Sequence, residues 1–326
     1  MNKDALKIAI QMDPIADIDI QGDTSFALGL AAQARGHKLF YYEPSQLCLH
    51  NENDTCVLAP LQALTLADKQ GAHFTLGQAR MTDLRTLDVI LMRQDPPFNM
   101  AYITASYFLD MLQPDVLVVN NPTSVRNAPE KLFPLQFKGL APPTLITRDH
   151  TALTEFRATY KDIILKPLYG NGGAGVLRIK GGDENFNALL DMYLTSTDEP
   201  IIAQQYLPAV KDGDKRILLV EGEAVGALNR RPPAGDVRAN LRAGGTAEAT
   251  TLTPRDLEIV EQLAPTLRAM GIIFAGIDVI GDYLTEINIT SPTCVRQFES
   301  IVGVNLAIDI WQAIEARLQK ANKDSR

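Results

Sequence analysis

The sequence predicts an α/β fold for the first part of the chain and an α+β arrangement for the C-terminal half. Three observations carry this. The apolar run Leu6–Met12, the amphipathic stretch Thr24–Ala34 and the run Lys38–Tyr42 read as strand, helix and strand. That is a βαβ unit, and hence a parallel sheet. Ile163–Pro167 and Val176–Ile179 flank a glycine-rich tip as an antiparallel hairpin. Gly276 to Pro292 reads as a second hairpin turned at Gly281-Asp282.

In chain order, the first strand ends at Asp13-Pro14. Thr24 or Ser25 can cap the helix, and Gly36 follows its end. Asp88–Met92 and Asp115–Asn120 read as further strands, with a helix over Tyr102–Leu112 between them. Residues 43–87 carry a weaker pattern, with short edge strands at Val57–Leu66 and Gly71–Leu76. Asn120-Asn121-Pro122 and Ala141-Pro142-Pro143 mark a junction between domains. Beyond the glycine hairpin, Asn185–Leu194 is helical and Ile201–Tyr206 is a strand. Arg216–Val220 and Ala224–Leu228 pair across a Gly turn. A polar loop, Arg230–Gly245, follows. Pro254–Met270 is an amphipathic helix, started by Thr253-Pro254 with Glu258 and stopped by Gly271. Ile308–Gln319 is the closing helix.

The 326 residues are 46% hydrophobic, which suits two or three domains with their own cores. A net charge of −8 argues against a general nucleic-acid binder, so any phosphate site must be local. Cys48, Cys56 and Cys294 are odd in number and lack metal-ligand spacing, which fits free thiols in a reducing cytoplasm. The apolar start is too short for a signal peptide, and no run approaches a membrane span. The four histidines lie apart, without triad context.

In the second hairpin, Asp278 sits on one strand, with Glu286 and Asn288 on one face of the other. Two carboxylates and an amide oxygen suit Mg²⁺ shared with nucleotide phosphates; the bland alternative is a solvated hairpin edge. The tip Gly170–Gly175 holds four glycines in six residues, so backbone N–H groups can approach an anion. Neither a Walker lysine nor a dinucleotide fingerprint accompanies it, and a mobile turn is its plain alternative. Lys166 lies in an apolar strand, where a lone charge is costly unless paired. Lys131 is a second candidate. Gln204, Gln205, Tyr206 and Leu207 leave a strand with backbone groups that can meet an adenine edge. Arg230, Arg231, Arg238 and Arg242 in one loop suggest a lid for carboxylate or phosphate, against an exposed basic loop.

A Lys before a glycine-rich hairpin, a later Arg, then Asp…Glu-x-Asn on paired strands resembles the ATP-grasp superfamily. Within it the chain is similar to the bacterial glutathione synthetases. The likeness runs from Met12-Asp13-Pro14-Ile15 through Arg93-Gln94-Asp95-Pro96-Pro97-Phe98 and Glu130-Lys131-Leu132-Phe133 to Thr285-Glu286-Ile287-Asn288 and Ser291-Pro292-Thr293-Cys294. It implies an ATP-grasp fold behind a small parallel-sheet domain. Residues 1–122 would form that domain, 123–203 a central lid and 204–326 the catalytic domain. It implies ligation of γ-glutamylcysteine to glycine through an acyl phosphate. Lys131 and Lys166 would bind ATP phosphates beneath Gly170, Gly172 and Gly173. Gln204 to Leu207 would line the adenine pocket and Asp214 would approach the ribose. Asp278, Glu286 and Asn288 would hold Mg²⁺ or Mn²⁺. Arg216, Arg231 and Asn288 would steady the acyl phosphate, and Arg238, Ser291 and Pro292 would touch the peptide. The adjacent Arg230 remains open for the role given to Arg231. The family's Lys-Pro-Leu-Asp-Gly-Met-Gly-Gly loop carries Tyr169 and Asn171 here, which alters its hydrogen bonding. A cytoplasmic homotetramer without nucleic-acid or membrane partners is implied. The alternatives are a ligase of the same fold with another acceptor and a non-catalytic nucleotide-binding regulator.

Overall fold

The computed structural model describes residues 5–52 and 54–324. Its first sheet is parallel at the centre. Lys7–Gln11 lies between Lys38–Tyr42 and Val89–Met92, and Val89–Met92 pairs in parallel with Leu117–Val119. Helix Thr24–Ala34 connects the first two strands, as its pattern predicts. Its cap, however, is Asp23, whose carboxylate accepts from Phe26 N at 2.6 Å. Thr24 and Ser25 are buried and committed elsewhere: Thr24 Oγ1 accepts from Val295 N, and Ser25 Oγ from Arg93 Nε. Residues 43–87 form more structure than expected. Thr55–Leu66 is one long strand antiparallel to Lys38–Tyr42, and Cys48–Asn51, Phe74–Leu76 and Arg80–Asp83 pair along it. Pro60 interrupts its propensity, and pairing along both edges compensates.

The middle of the chain builds a four-stranded antiparallel sheet. Its order is Leu177–Ile179, Ile163–Pro167, Ile201–Gln205, Thr144–Thr147. Helices His150–Tyr160 and Phe186–Ser196 cover it, enclosing a separate core around Leu153, Leu165, Phe186 and Leu190. The last strand carries this sheet to Gln205, so an expected boundary at residue 203 falls inside it.

The C-terminal sheet has five antiparallel strands, ordered Thr246–Ala249, Glu223–Arg231, Asp214–Val220, Phe274–Ile280, Tyr283–Asn288. Helix Pro254–Ala269 begins with a reciprocal cap in which the partner of Thr253 is Asp256, not Glu258. Helices Val295–Val302 and Ala307–Asp324 pack beside Thr24–Ala34.

At the expected junction, Asn120 forms a buried clamp. Asn120 is 3% exposed. Its amide donates to the carbonyls of Phe274 (2.7 Å) and Ile289 (2.8 Å), and its oxygen accepts from the N–H groups of Ile273 and Phe274. One hydrophobic core therefore runs from the first sheet into the last, while the central sheet keeps its own.

Candidate active site

Strand periodicity and register assemble the site on one face of the five-stranded sheet. Asp214 and Arg216 are two residues apart on one strand, as are Glu286 and Asn288 on another, so each pair shares a face. Arg216 pairs with Asp278, Asp278 with Glu286, Gly276 with Asn288, and Asp214 with Arg230. Residues directly opposite in a ladder present side chains to the same side. Asp214, Arg216, Arg230, Asp278, Glu286 and Asn288 thus form one polar, mostly charged row on that face.

Burial forces those charges to pair. Asp278 is 1% exposed, and its carboxylate takes both Arg216 (Nη2 at 3.0 Å) and Arg230 (Nη2 at 2.9 Å). Burial alone would raise this carboxyl; the two guanidinium groups outweigh it and hold the pKa at about 2. Asp214 also accepts from Arg230 at 2.6 Å, yet burial and the repulsion of Asp278 leave it near 6. Arg231 stands elsewhere. One residue further along the strand, it points to the other side, half exposed, and pairs with Glu248 at 2.7 Å. The choice left open between the two arginines therefore falls to Arg230, and the expectation for Arg231 is corrected. Asp278 is bonded to both arginines and lies 3.4 Å from the Asn288 amide, while Glu286 and Asn288 line open space.

Across from this row lie the lysines. Lys166 is 6% exposed, and burial pulls its pKa down against the attraction of Glu286. Lys131 Nζ donates to Glu130 at 2.8 Å and to the carbonyl of Gly170. Glu286 is pushed up to about 7, first by burial and then by Glu130, with Lys131 and Lys166 opposing. Two mutually repelling carboxylates beside an amide oxygen and two lysines fit a hard divalent cation that shares oxygens with phosphates. No cluster of three His, Cys, Asp or Glu side chains suited to a metal occurs among the described residues. The fit thus depends on Glu286 and Asn288 together with ligand oxygens.

Two clefts meet at Glu286. The first is lined by Ile164, Lys166, Gln204, Tyr206, Leu207 and Asp214, with Gln205 and Arg238 also on its wall. It is largely apolar and ends at the charged row. The second runs past Glu130, Gly172, Arg216, Arg230, Asn288 and Ser291. Pro292, expected to touch the peptide, does not line it; its carbonyl accepts from Arg93 Nη2 at 3.0 Å. Glu286 and Asn240 belong to both walls.

Two loops close over the clefts. Gly172 and Gly173 adopt φ of 62° and 80°, a region that favours glycine. A Cβ on Gly173 would sit 3.1 Å from Asn240 Oδ1 and 3.3 Å from Arg238 Cδ, so the glycine tip and the arginine loop interlock. Arg242 reaches Asp95 on the N-terminal side. Tyr169 stacks on Phe98, with centroids 6.2 Å apart, and Phe98 contacts Tyr102 in turn. Glu130, Asn240 and Asp95 also line the walls, and no local pattern in the sequence marks them. Only Arg230 carried a usable signal: its strand parity with Leu228, had the predicted strand been extended to residue 231.

Known proteins resemble this chain over nearly its whole length. Residues 6–126 match the N-terminal domain, and residues 130–303 the ATP-grasp domain, of the prokaryotic glutathione synthetase models. The glutathione synthetase of Rhodopseudomonas palustris is 52% identical over 312 residues, covering 96% of this chain and 99% of the relative. That of Brucella melitensis is 52% identical over 313 residues, with 96% and 99% coverage. The solved structure of the D-cycloserine synthetase DcsG superposes with a TM-score of 0.67 at 14% identity, over 96% of this chain and 99% of that one, a likeness of fold alone.

Proposed function

The chain belongs to the prokaryotic glutathione synthetase family, and we propose that its two clefts bring ATP and γ-glutamylcysteine together at Glu286. It is an ATP-dependent carbon–nitrogen ligase of glutathione synthesis. The convergence of both clefts on Glu286 is the observation that carries the site assignment.

The adenine lies in the first cleft against Gln204 to Leu207, with Asp214 toward the ribose. Lys131 and Lys166 receive the phosphates, which repays the cost of burying Lys166. The loop carrying Gly170, Gly172 and Gly173 covers them. Glu286 and Asn288 would hold Mg²⁺ or Mn²⁺, which supplies charge neutralisation of the phosphates. In the second cleft the cysteinyl carboxylate of γ-glutamylcysteine attacks the terminal phosphorus and ADP leaves. The amine of glycine then attacks the acyl phosphate, loses a proton and expels phosphate. Arg216 and Arg230, held rigid by Asp278, face the charge that develops on the acyl oxygens. Such preorganised donors are worth about 10²–10³ in rate apiece. Ser291 borders the peptide, and Arg238 approaches it from the wall of the first cleft. Asp278 keeps the guanidinium groups aimed, as a positioning residue.

We also propose a cytoplasmic homotetramer. Its support is family resemblance and the free state of Cys48, Cys56 and Cys294. Among the described residues no helix is long and apolar enough to cross a membrane.

The test is phosphate release with ATP, Mg²⁺, γ-glutamylcysteine and glycine, repeated over a panel of acids and amines. Release is expected only with both substrates present, and Glu286→Ala or Asn288→Ala should abolish it while circular dichroism stays native. Turnover with a different acid–amine pair instead would reject the substrate assignment.

A further inference from the structure

A third pocket, of about 280 Å³, opens beside the second cleft, with Asp95 lining both. That volume is near the lower end for small-ligand sites, enough for part of a substrate. Its walls carry Asp13, Glu43, Gln94, Asp95, Asn99 and Tyr102. Asp13, Glu43 and Asp95 make the pocket acidic, with Arg242 pairing to Asp95 at its rim, but carboxylates alone identify nothing. The second observation is Tyr102. It is 4% exposed and its hydroxyl is buried without a hydrogen-bond partner. Such a group is costly to bury unless something bonds to it. Arg93, Asp95 and Asp13 are the charges nearest that hydroxyl in effect. Arg93, 7% exposed, donates to two neutral oxygens, Ser25 Oγ at 3.1 Å and the Pro292 carbonyl at 3.0 Å. Its positive charge, faced by Asp23 and Asp95, lies beside the Tyr102 hydroxyl. Acceptors for an ammonium and a donor for a carboxylate thus meet in one pocket.

We infer that this pocket receives the zwitterionic α-amino-acid end of the acid substrate. Tyr102 O–H donates to its α-carboxylate beside Arg93, and Asp13 and Asp95 accept from its α-ammonium. This rests on the proposed function, because γ-glutamylcysteine carries its only ammonium at the end remote from the reacting carboxylate. The second cleft holds the reacting end, and Asp95 marks where the two spaces join. The bond from Ser291 Oγ to the Gln94 carbonyl, at 2.8 Å, ties the two walls together. Tyr102 is therefore a specificity-determining residue.

The experiment crosses two variants with three acids, reading kcat/KM by phosphate release. The acids are γ-glutamylcysteine, its analogue lacking the α-carboxylate (4-aminobutyryl-cysteine) and its analogue lacking the α-ammonium (glutaryl-cysteine). Tyr102→Phe should lower kcat/KM about tenfold or more for γ-glutamylcysteine, the worth of a hydrogen bond to a charged group. That penalty should vanish for 4-aminobutyryl-cysteine, and KM for ATP should not move. Asp13→Asn keeps an oxygen for Asp95 N, and its penalty should vanish for glutaryl-cysteine. Equal penalties on all three acids, or none on γ-glutamylcysteine, would overturn the inference while normal wild-type turnover left the function standing. No turnover by the unsubstituted protein would overturn both.

Discussion

Replacing Arg230 separates the two adjacent arginines and tests how the site is built. Arg230 is 3% exposed and bridges Asp214 at 2.6 Å and Asp278 at 2.9 Å. Removing its charge strands the buried carboxylate of Asp214 and leaves Asp278 with Arg216 alone, and breaking a buried pair in this way costs about 3–5 kcal/mol. Against a total stability of about 5–15 kcal/mol, Arg230→Ala can lose the fold outright. Arg230→Lys is the sharper probe. It keeps the charge but lacks the planar fork that serves two carboxylates at once. Its kcat should fall by about 10²–10³, the loss expected for one preorganised donor. Arg231→Ala breaks only a half-exposed pair with Glu248, worth about 0.2–1 kcal/mol, and its kcat should stay near that of the unsubstituted enzyme. Urea denaturation and phosphate release measured on the same preparations distinguish lost folding from lost chemistry. An inactive, well-folded Arg231→Ala beside an active Arg230→Lys would refute the argument from strand parity.

Two further outcomes follow from named contacts. Glu286 has its pKa raised from 4.5 to about 7, so the folded state disfavours its ionised form. Its contribution is destabilising: absent below about pH 4.5, growing through that window and complete above about pH 7, reaching roughly 3 kcal/mol for a shift of this size. Glu286→Gln should therefore flatten the decline of the urea midpoint between those limits, and Mg²⁺ with nucleotide at pH 6 should release a proton from the unsubstituted protein, measurable by calorimetry in two buffers. Asn120→Ala removes four hydrogen bonds from buried backbone groups of the last sheet. It should lower the unfolding free energy by about 3 kcal/mol or more, read from urea titration; a loss under about 1 kcal/mol would mean that Asn120 does not clamp the two sheets.

The sequence by itself determined the parallel start, the glycine hairpin and the Glu286–Asn288 strand. Those features rest on local information: apolar periodicity, glycine punctuation and the two-residue alternation of a strand. It also set the type of chemistry, since a lysine in the apolar strand Ile163–Pro167 requires a partner wherever that strand packs. Tertiary structure decided what register and burial control. Arg230 and Arg231 are chemically identical neighbours, and only the pairing of Asp214 with Arg230 shows which one faces Asp278. Asp23 rather than Thr24 or Ser25 caps its helix because distant groups, Val295 N and Arg93 Nε, claim both hydroxyls. The turn-like Asn120 became a clamp, and the unpartnered hydroxyl of Tyr102 emerged, through contacts between residues far apart in the chain. Such contacts leave no period in a sequence, because they depend on which surfaces meet after the local elements have formed.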